Sequence, residues 1–218
     1  MISTIVLDLD GPLLDGRLRH YSCYSEILKE QGFIPLDIDS YWAGKRSRVD
    51  RRTLLKKSEA VEFYDEFLRE WIQRIELPAM LALDQLQPGV LSILSEWKDS
   101  EIELVIATMR NHVSNAVDQL TSLGIMPLVS QLLVTGSDDG FSGKVEAVRR
   151  VLSGKLRRTA LWVGDTEVDI RAARSLEIPV CALTCGLRTQ ALLAAENPDY
   201  LLDDLRDVRQ HIVQMTKR

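Results

Sequence analysis

The sequence has few cysteines, no long apolar run and no excess of positive charge, and each shortage excludes a class of protein. Its three cysteines, Cys23, Cys181 and Cys185, form no C-x-x-C pair, so neither a cysteine metal site nor a disulfide framework is expected. No apolar stretch approaches the roughly 20 residues that cross a bilayer. The net charge is −5, which predicts no general attraction to nucleic acid. We therefore expect a cytoplasmic chain with reduced thiols and no membrane or nucleic-acid partner.

The 218 residues are enough for one large domain or for a core with a smaller insertion. In the last two thirds of the chain, short apolar runs alternate with amphipathic helical patterns, which indicates βαβ units and a mainly parallel sheet. Residues 17–84 instead follow helical spacing, most clearly from Ala60 to Ile75. We predict an α/β core formed by 1–16 and 85–218, with helices on both faces of a Rossmann-like sheet, and an all-helical domain inserted at 17–84.

The most informative motif is Asp8-Leu9-Asp10-Gly11, which directly follows the apolar run Thr4-Ile5-Val6-Leu7. A β-strand alternates faces, so both carboxylates point the same way at the end of a buried strand. In parallel α/β sheets, ligands bind beyond this end of the strands. Two adjacent acids need a cation or a shared proton, which suits a divalent metal with one carboxylate as nucleophile or acid. For this tetrapeptide alone, capping of the next turn is an equal alternative.

A second acidic cluster, Gly164-Asp165-Thr166-Glu167-Val168-Asp169, follows another apolar run and precedes residues with helical spacing. It therefore lies on a turn from a strand to a helix, where Asp165 and Asp169 can face one point above the sheet. Acids at two strand ends suit an oxygen-ligand site for Mg²⁺. Capping of the helix by Asp165 or Thr166 is the alternative, but it does not explain the acids at the first strand.

Two further segments could complete a phosphate site. Thr108-Met109-Arg110-Asn111 follows a predicted strand and offers a hydroxyl and backbone N–H groups at the start of a helix. Lys144 stands at the start of another helix, where a positive charge is unfavourable for the helix dipole. Taken singly, the first segment is better explained as a helix cap and Lys144 as a solvated lysine. Lys155 competes with Lys144 for the same role.

In this order, the four motifs resemble those of the haloacid dehalogenase-like hydrolase superfamily, and the resemblance covers the whole chain. The inserted helices resemble that family's C1-type cap. The general likeness is to the branch of phosphoglycolate phosphatase and β-phosphoglucomutase. Two positions depart from the usual pattern: Pro12 follows Gly11, and Val145 replaces the proline that commonly follows the lysine.

The resemblance implies a role for each motif residue. Asp8 would be the nucleophile that forms an aspartyl-phosphate, and Asp10 would protonate the leaving group and then activate water. Thr108 and the Met109 N–H would bind the phosphoryl group, and Lys144 would balance its charge. The implied function is hydrolysis of a small phosphorylated metabolite. A phosphomutase is the alternative, and a non-catalytic binding protein is a weaker one.

The resemblance also implies a Mg²⁺ cofactor, held by Asp8, the backbone carbonyl of Asp10 and Asp165, with Asp169 in a supporting position. Carboxylates without a nearby histidine or cysteine favour this hard ion over zinc. A monomer or a homodimer is expected.

The helical insertion carries the clue to the substrate. Seven basic residues lie within thirteen positions: Lys45, Arg46, Arg48, Arg51, Arg52, Lys56 and Lys57. Most of them are expected to form a solvated helix face, which is the usual meaning of a charge run. Trp42–Arg46 is the stretch predicted to reach the site, because its glycine permits a loop. Arg46 is our candidate for a contact with an anionic substrate.

Overall fold

The structure is a computed structural model that describes residues 2–136, 140–153 and 159–216, without the side chains of 214–216. The chain divides into two compact units. We call Asp15–Gln85 the helical unit, and the two segments on either side of it together the sheet unit. None of the described helices is both long and apolar enough to cross a membrane.

The sheet unit contains a six-stranded sheet in which every pairing is parallel. The strands of the chain are β1 (Thr4–Leu7), β2 (Leu14–Asp15), β3 (Gln85–Leu86), β4 (Glu103–Thr108), β5 (Gln131–Val134), β6 (Ala160–Gly164), β7 (Val180–Leu183) and β8 (Tyr200–Leu202). The order in the large sheet is β5-β4-β1-β6-β7-β8, while β2 and β3 pair separately where the chain passes from one unit to the other. This topology confirms the predicted Rossmann-like fold class.

Helices cover both faces of the sheet. The helices of the chain are α1 (Arg17–Glu30), α2 (Ile38–Arg46), α3 (Arg51–Lys57), α4 (Tyr64–Arg74), α5 (Pro78–Leu81), α6 (Val90–Asp99), α7 (Val113–Ser122), α8 (Gly140–Val151), α9 (Glu167–Ser175), α10 (Gln190–Ala195) and α11 (Leu205–Thr216). Because side chains alternate along β1, Ile5 and Leu7 pack in one apolar cluster with α6 and α11. Val6 lies in the other cluster, with α8 and α9.

The register of the central strands determines where the site forms. Leu7, the last residue of β1, pairs with Ile106 on β4 and with Val163 on β6. The residues that follow these strands therefore meet at one edge of the sheet. This is the edge at which parallel α/β sheets bind ligands, because the strand ends and the helix starts leave polar groups there.

The helical unit has its own apolar core, formed by residues of α1, α3, α4 and neighbouring turns. Leu28, Leu55 and Phe67 are buried in it, as the 3.6-residue periodicity predicts. The predicted loop at Trp42–Arg46 is wrong, because this stretch forms the last turns of α2. A Cβ atom on Gly44 would lie 2.7 Å from Leu54 Cδ2, so the glycine permits close packing of α2 on α3 and does not open a loop.

Candidate active site

Asp8 extends β1 by one residue and opens the turn that carries Asp10. Its backbone N–H donates to the Val163 carbonyl at 2.9 Å, and its Oδ1 accepts the N–H of Leu9 at 2.8 Å. The turn requires glycine at position 11, where φ is +103° and a Cβ atom would lie 2.1 Å from Asp165 Oδ2. The close approach of this turn to Asp165 thus depends on the missing side chain.

Three carboxylates form a buried group at this edge of the sheet. One oxygen from each of Asp8, Asp165 and Asp169 lies within 4.8 Å of the others. Asp165 is fully buried, and its Oδ2 accepts the N–H of Leu187. Its Oδ1 is also buried but has no hydrogen-bond partner among the described residues. An unsatisfied buried carboxylate oxygen is costly, and a hard cation is the ligand that such an oxygen suits.

Lys144 lies inside this acidic group. It is a residue of α8 whose side chain is only 2% exposed, and its Nζ is 2.9 Å from Asp8 Oδ1 and 2.8 Å from Asp169 Oδ1. The lysine is therefore not a solvated one. Its competitor Lys155 lies outside the described residues.

Asp169, whose Oδ1 also accepts the Trp162 Nε1–H at 3.4 Å, has two residues as partners besides the lysine. Its Oδ2 accepts the Thr166 hydroxyl at 2.7 Å and the Thr166 N–H at 3.2 Å, an arrangement that caps the start of α9. The helix cap and the contact with Lys144 thus share one carboxylate. The capping alternative is confirmed for Thr166, which is the N-cap of α9, while Asp169 completes the cap and also contacts Lys144.

The charges of the group shift the pKa values of its members. Burial raises the pKa of Asp8 to about 7, helped by the charge of Asp169 and opposed by Lys144. Burial and the charges of Asp8 and Asp169 raise the pKa of Asp165 well above its usual value. Burial alone would lower the pKa of Lys144, but the charges of Asp169 and Asp8 outweigh it and raise this pKa. Three acids around one ammonium leave a surplus of negative charge, which a proton or a cation must balance.

The segment after β4 lies at the same edge. Thr108 is the last residue of β4 and is buried, and its carbonyl accepts the Thr135 N–H at 2.9 Å. Met109 follows it and is half-buried. The residue that precedes α7 is His112, so neither Thr108 nor Asn111 is the cap of that helix.

Comparison with known proteins identifies the family. A sequence model of the haloacid dehalogenase-like hydrolases matches residues 2–176, a range that contains all four motifs. The chain belongs to the haloacid dehalogenase-like hydrolase family. It is 25% identical to the phosphoglycolate phosphatase of Synechococcus elongatus over 223 residues, and the match covers 100% of both chains.

Solved structures show the same fold. A haloacid dehalogenase-like family hydrolase from Streptococcus pneumoniae matches with a TM-score of 0.72 at 24% identity, over 97% of this chain and 98% of that one. A second such hydrolase, from Bacillus subtilis and bound to magnesium, matches with a TM-score of 0.66 at 17% identity, over 98% and 99% of the two chains. Together with the family match, the named relatives confirm the predicted family and its phosphoglycolate phosphatase-like branch. They also confirm the predicted enzyme class, a phosphoric monoester hydrolase.

The structure adds site residues that the motifs of this hydrolase family did not indicate. Arg110 is buried and holds Asp10 through two hydrogen bonds of 2.7 Å, one to each carboxylate oxygen. Gly186 and Leu187, in the loop after β7, contact Asp165. Two features of the sequence could have indicated these residues: an arginine two residues after Thr108 and a glycine just past a buried strand.

The remaining candidate, Arg46, lies in the helical unit. It is the last residue of α2 and is half-buried.

Proposed function

We propose that this hydrolase is a Mg²⁺-dependent phosphatase that acts on a small phosphorylated metabolite through an aspartyl-phosphate. The observation that carries the proposal is the contact of Lys144 with Asp8 inside the buried acidic group. An ammonium that is fixed beside a strand-end carboxylate can neutralise a phosphoryl group as it reaches that carboxylate. Charge neutralisation and positioning are the main requirements of phosphoryl transfer.

The residues fit a magnesium ion. Its ligands would be Asp8, the backbone carbonyl of Asp10 and Asp165, with Asp169 supporting the arrangement. The donors are all oxygens, and Oδ1 of Asp165, which has no hydrogen-bond partner in the part of the chain that the structure describes, offers a buried anionic ligand. When bound, Mg²⁺ would supply positive charge against the phosphoryl oxygens. The magnesium bound by the Bacillus subtilis relative supports the same choice of ion.

The protein side chains would divide the reaction into two displacements. Asp8 attacks phosphorus, and the bond between phosphorus and the leaving oxygen breaks as Asp10 gives that oxygen a proton. In the second step Asp10 takes a proton from water, which attacks phosphorus and releases phosphate from Asp8. Thr108 and the Met109 N–H would hold the phosphoryl oxygens throughout.

The substrate is proposed from the relatives and from the helical insertion at 17–84, which would act as a cap. The Synechococcus elongatus relative is named for phosphoglycolate, a phosphate ester that carries a second anion. A basic residue such as Arg46 would suit that second anion. A small phosphorylated acid is therefore the first substrate to test.

Phosphate release from a panel of phosphorylated acids, sugars and nucleotides tests the proposal. We expect release that stops in excess chelator and returns with Mg²⁺. We expect Asp8→Asn to reduce release to background with an unchanged circular dichroism spectrum, because the nucleophile is lost. Asp118→Asn, at an exposed position of α7, is the matched control. Full activity in chelator or substantial turnover by Asp8→Asn would contradict the proposal, and isomer formation without phosphate release would indicate a phosphomutase.

A further inference from the structure

The loop that follows β7 contacts Asp165, as the Gly11 turn also does. The backbone N–H groups of Thr184 and Cys185 donate to carbonyls of Leu202 and Asp203 at 3.0 Å, which ties the start of the loop to the end of β8. The next residues reach Asp165, where the Leu187 N–H donates to Oδ2. A Cβ atom on Gly186 would lie 2.0 Å from the same oxygen, so the loop backbone is packed directly against the carboxylate.

An ion pair fastens this loop to the turn that carries Asp165. Arg188 Nε and Nη2 donate to the two carboxylate oxygens of Glu167 at 2.7 and 3.0 Å. Arg188 Nη1 donates to the Leu187 carbonyl at 3.1 Å. Glu167 is the first residue of α9 and stands two positions after Asp165. The pair thus links the residue that donates to Asp165 with the turn on which Asp165 lies.

The ion pair between Arg188 and Glu167 is largely shielded from solvent and has a defined orientation. The side chains of Arg188 and Glu167 are only 17% and 12% exposed, so solvent screens them less than an exposed pair. A guanidinium that meets a carboxylate through two parallel hydrogen bonds fixes orientation as well as distance. Glu167 also carries negative charge at a helix N-terminus, where it is favourable.

We propose that the Arg188–Glu167 pair determines how strongly Asp165 binds the divalent ion. The pair holds the Leu187 N–H on Oδ2 of Asp165, which fixes the carboxylate and would leave Oδ1 available to a divalent ion. Arg188 and Glu167 are positioning residues and do not ligate the ion. Partners that orient metal ligands commonly change metal affinity when they are removed. The inference rests on the Mg²⁺ site of the proposed function.

Calorimetric titration of Mg²⁺ into the metal-free, full-length protein tests this inference. We expect Arg188→Met and Glu167→Gln each to raise the Kd for Mg²⁺ about tenfold. The double variant should bind no more weakly than the single ones, because either change already releases the loop. Arg171→Met is the matched control: it removes another α9 ion pair, with Glu196, on an exposed part of the helix. Its Kd should equal that of the wild type.

The Asp165→Ala variant distinguishes a failure of the positioning role from a failure of the metal site itself. A wild-type Kd in Arg188→Met and Glu167→Gln, with a raised Kd in Asp165→Ala, would overturn the positioning role and leave the metal site intact. Equal Mg²⁺ binding by the wild type and Asp165→Ala would instead contradict the metal site itself. If Arg188→Met does not fold, Arg188→Lys replaces it, since it keeps the charge but loses the paired hydrogen bonds. A raised Kd then supports the inference, and a wild-type Kd contradicts it.

Discussion

The two carboxylate oxygens of Asp165 differ in their hydrogen bonding. One oxygen has the Leu187 N–H as a partner, while the other has none among the described residues. A buried polar atom without a partner costs about 1–3 kcal/mol, and the neighbouring carboxylates add repulsion. The metal-free protein therefore carries a local free-energy cost that a bound cation would remove.

Asp165→Asn is predicted to have opposite effects on stability and on activity. In chelator, we expect a higher Tm than that of the wild type, because the variant removes a charge from the acidic group. With substrate, we expect a higher Mg²⁺ concentration for half-maximal phosphate release, since a neutral amide is a weaker ligand. Thermal unfolding in chelator and a Mg²⁺ titration of activity measure the two effects. A lower Tm in chelator would show that the carboxylate is satisfied without the ion.

Local patterns in the sequence indicated some of the candidate site residues, and candidates that depend on distant partners were missed. Asp8 and Asp165 follow short apolar runs directly, so strand and turn patterns were enough to place them at one edge. Arg110 and Leu187 act on carboxylates 100 and 22 positions away, respectively. Such contacts depend on strand order and loop path, and neither can be read from the spacing of residues.

At the scale of elements, hydrophobic periodicity predicted a helix correctly, whereas a glycine led to a wrong prediction of a loop. The series that includes Phe67 and Trp71 predicted α4, because one face of that helix must be apolar. Gly44 was interpreted as a loop residue, although it lies within α2 and serves the contact with Leu54. Glycine permits both a turn and a close helix contact, so the residue alone could not decide between them.

Helix α2 supplies a prediction about substrate choice. If the helical unit acts as a cap, Arg46→Ala should raise KM for an anionic natural substrate and have little effect on p-nitrophenyl phosphate. The reason is that a contact with the leaving group is absent from the generic ester, while the transferred phosphoryl group is common to both. Steady-state kinetics with both substrates measure the contrast.

Lys57→Ala is the matched control for Arg46→Ala, because it removes a positive charge from an exposed position of α3. It should leave both KM values unchanged. Equal damage to both substrates in Arg46→Ala would place the residue in the fold or the chemistry instead. No effect on either would assign Arg46 to a solvated face.

At the scale of the whole molecule, the two units have separate apolar cores. Leu55 belongs to the core of the helical unit, and Leu161 belongs to that of the sheet unit. Each is almost fully buried, so truncation to alanine should cost about 2–5 kcal/mol. The division of the chain into units suggests that this cost falls mainly on the unit that contains the residue.

Hydrogen exchange tests this separation. Leu55→Ala should accelerate exchange in α1, α3 and α4 while β1, β4 and β6 stay protected, and Leu161→Ala should do the reverse. Peptide-level exchange measured by mass spectrometry resolves the two patterns. A uniform rise in exchange over the whole chain, from either variant, would show that the units unfold as one.

The central position of β1 also has a consequence during synthesis. Thr4 pairs with Glu103 on one side and with Ala160 on the other, so both neighbours of the strand lie far along the chain. At translation rates of about 5–20 residues per second, roughly 8–30 s pass before β6 is made. Strand β1 thus leaves the ribosome well before both of the strands that flank it, and it can be enclosed only after they are made. Throughout that interval its three apolar residues, Ile5, Val6 and Leu7, can be recognised by a chaperone.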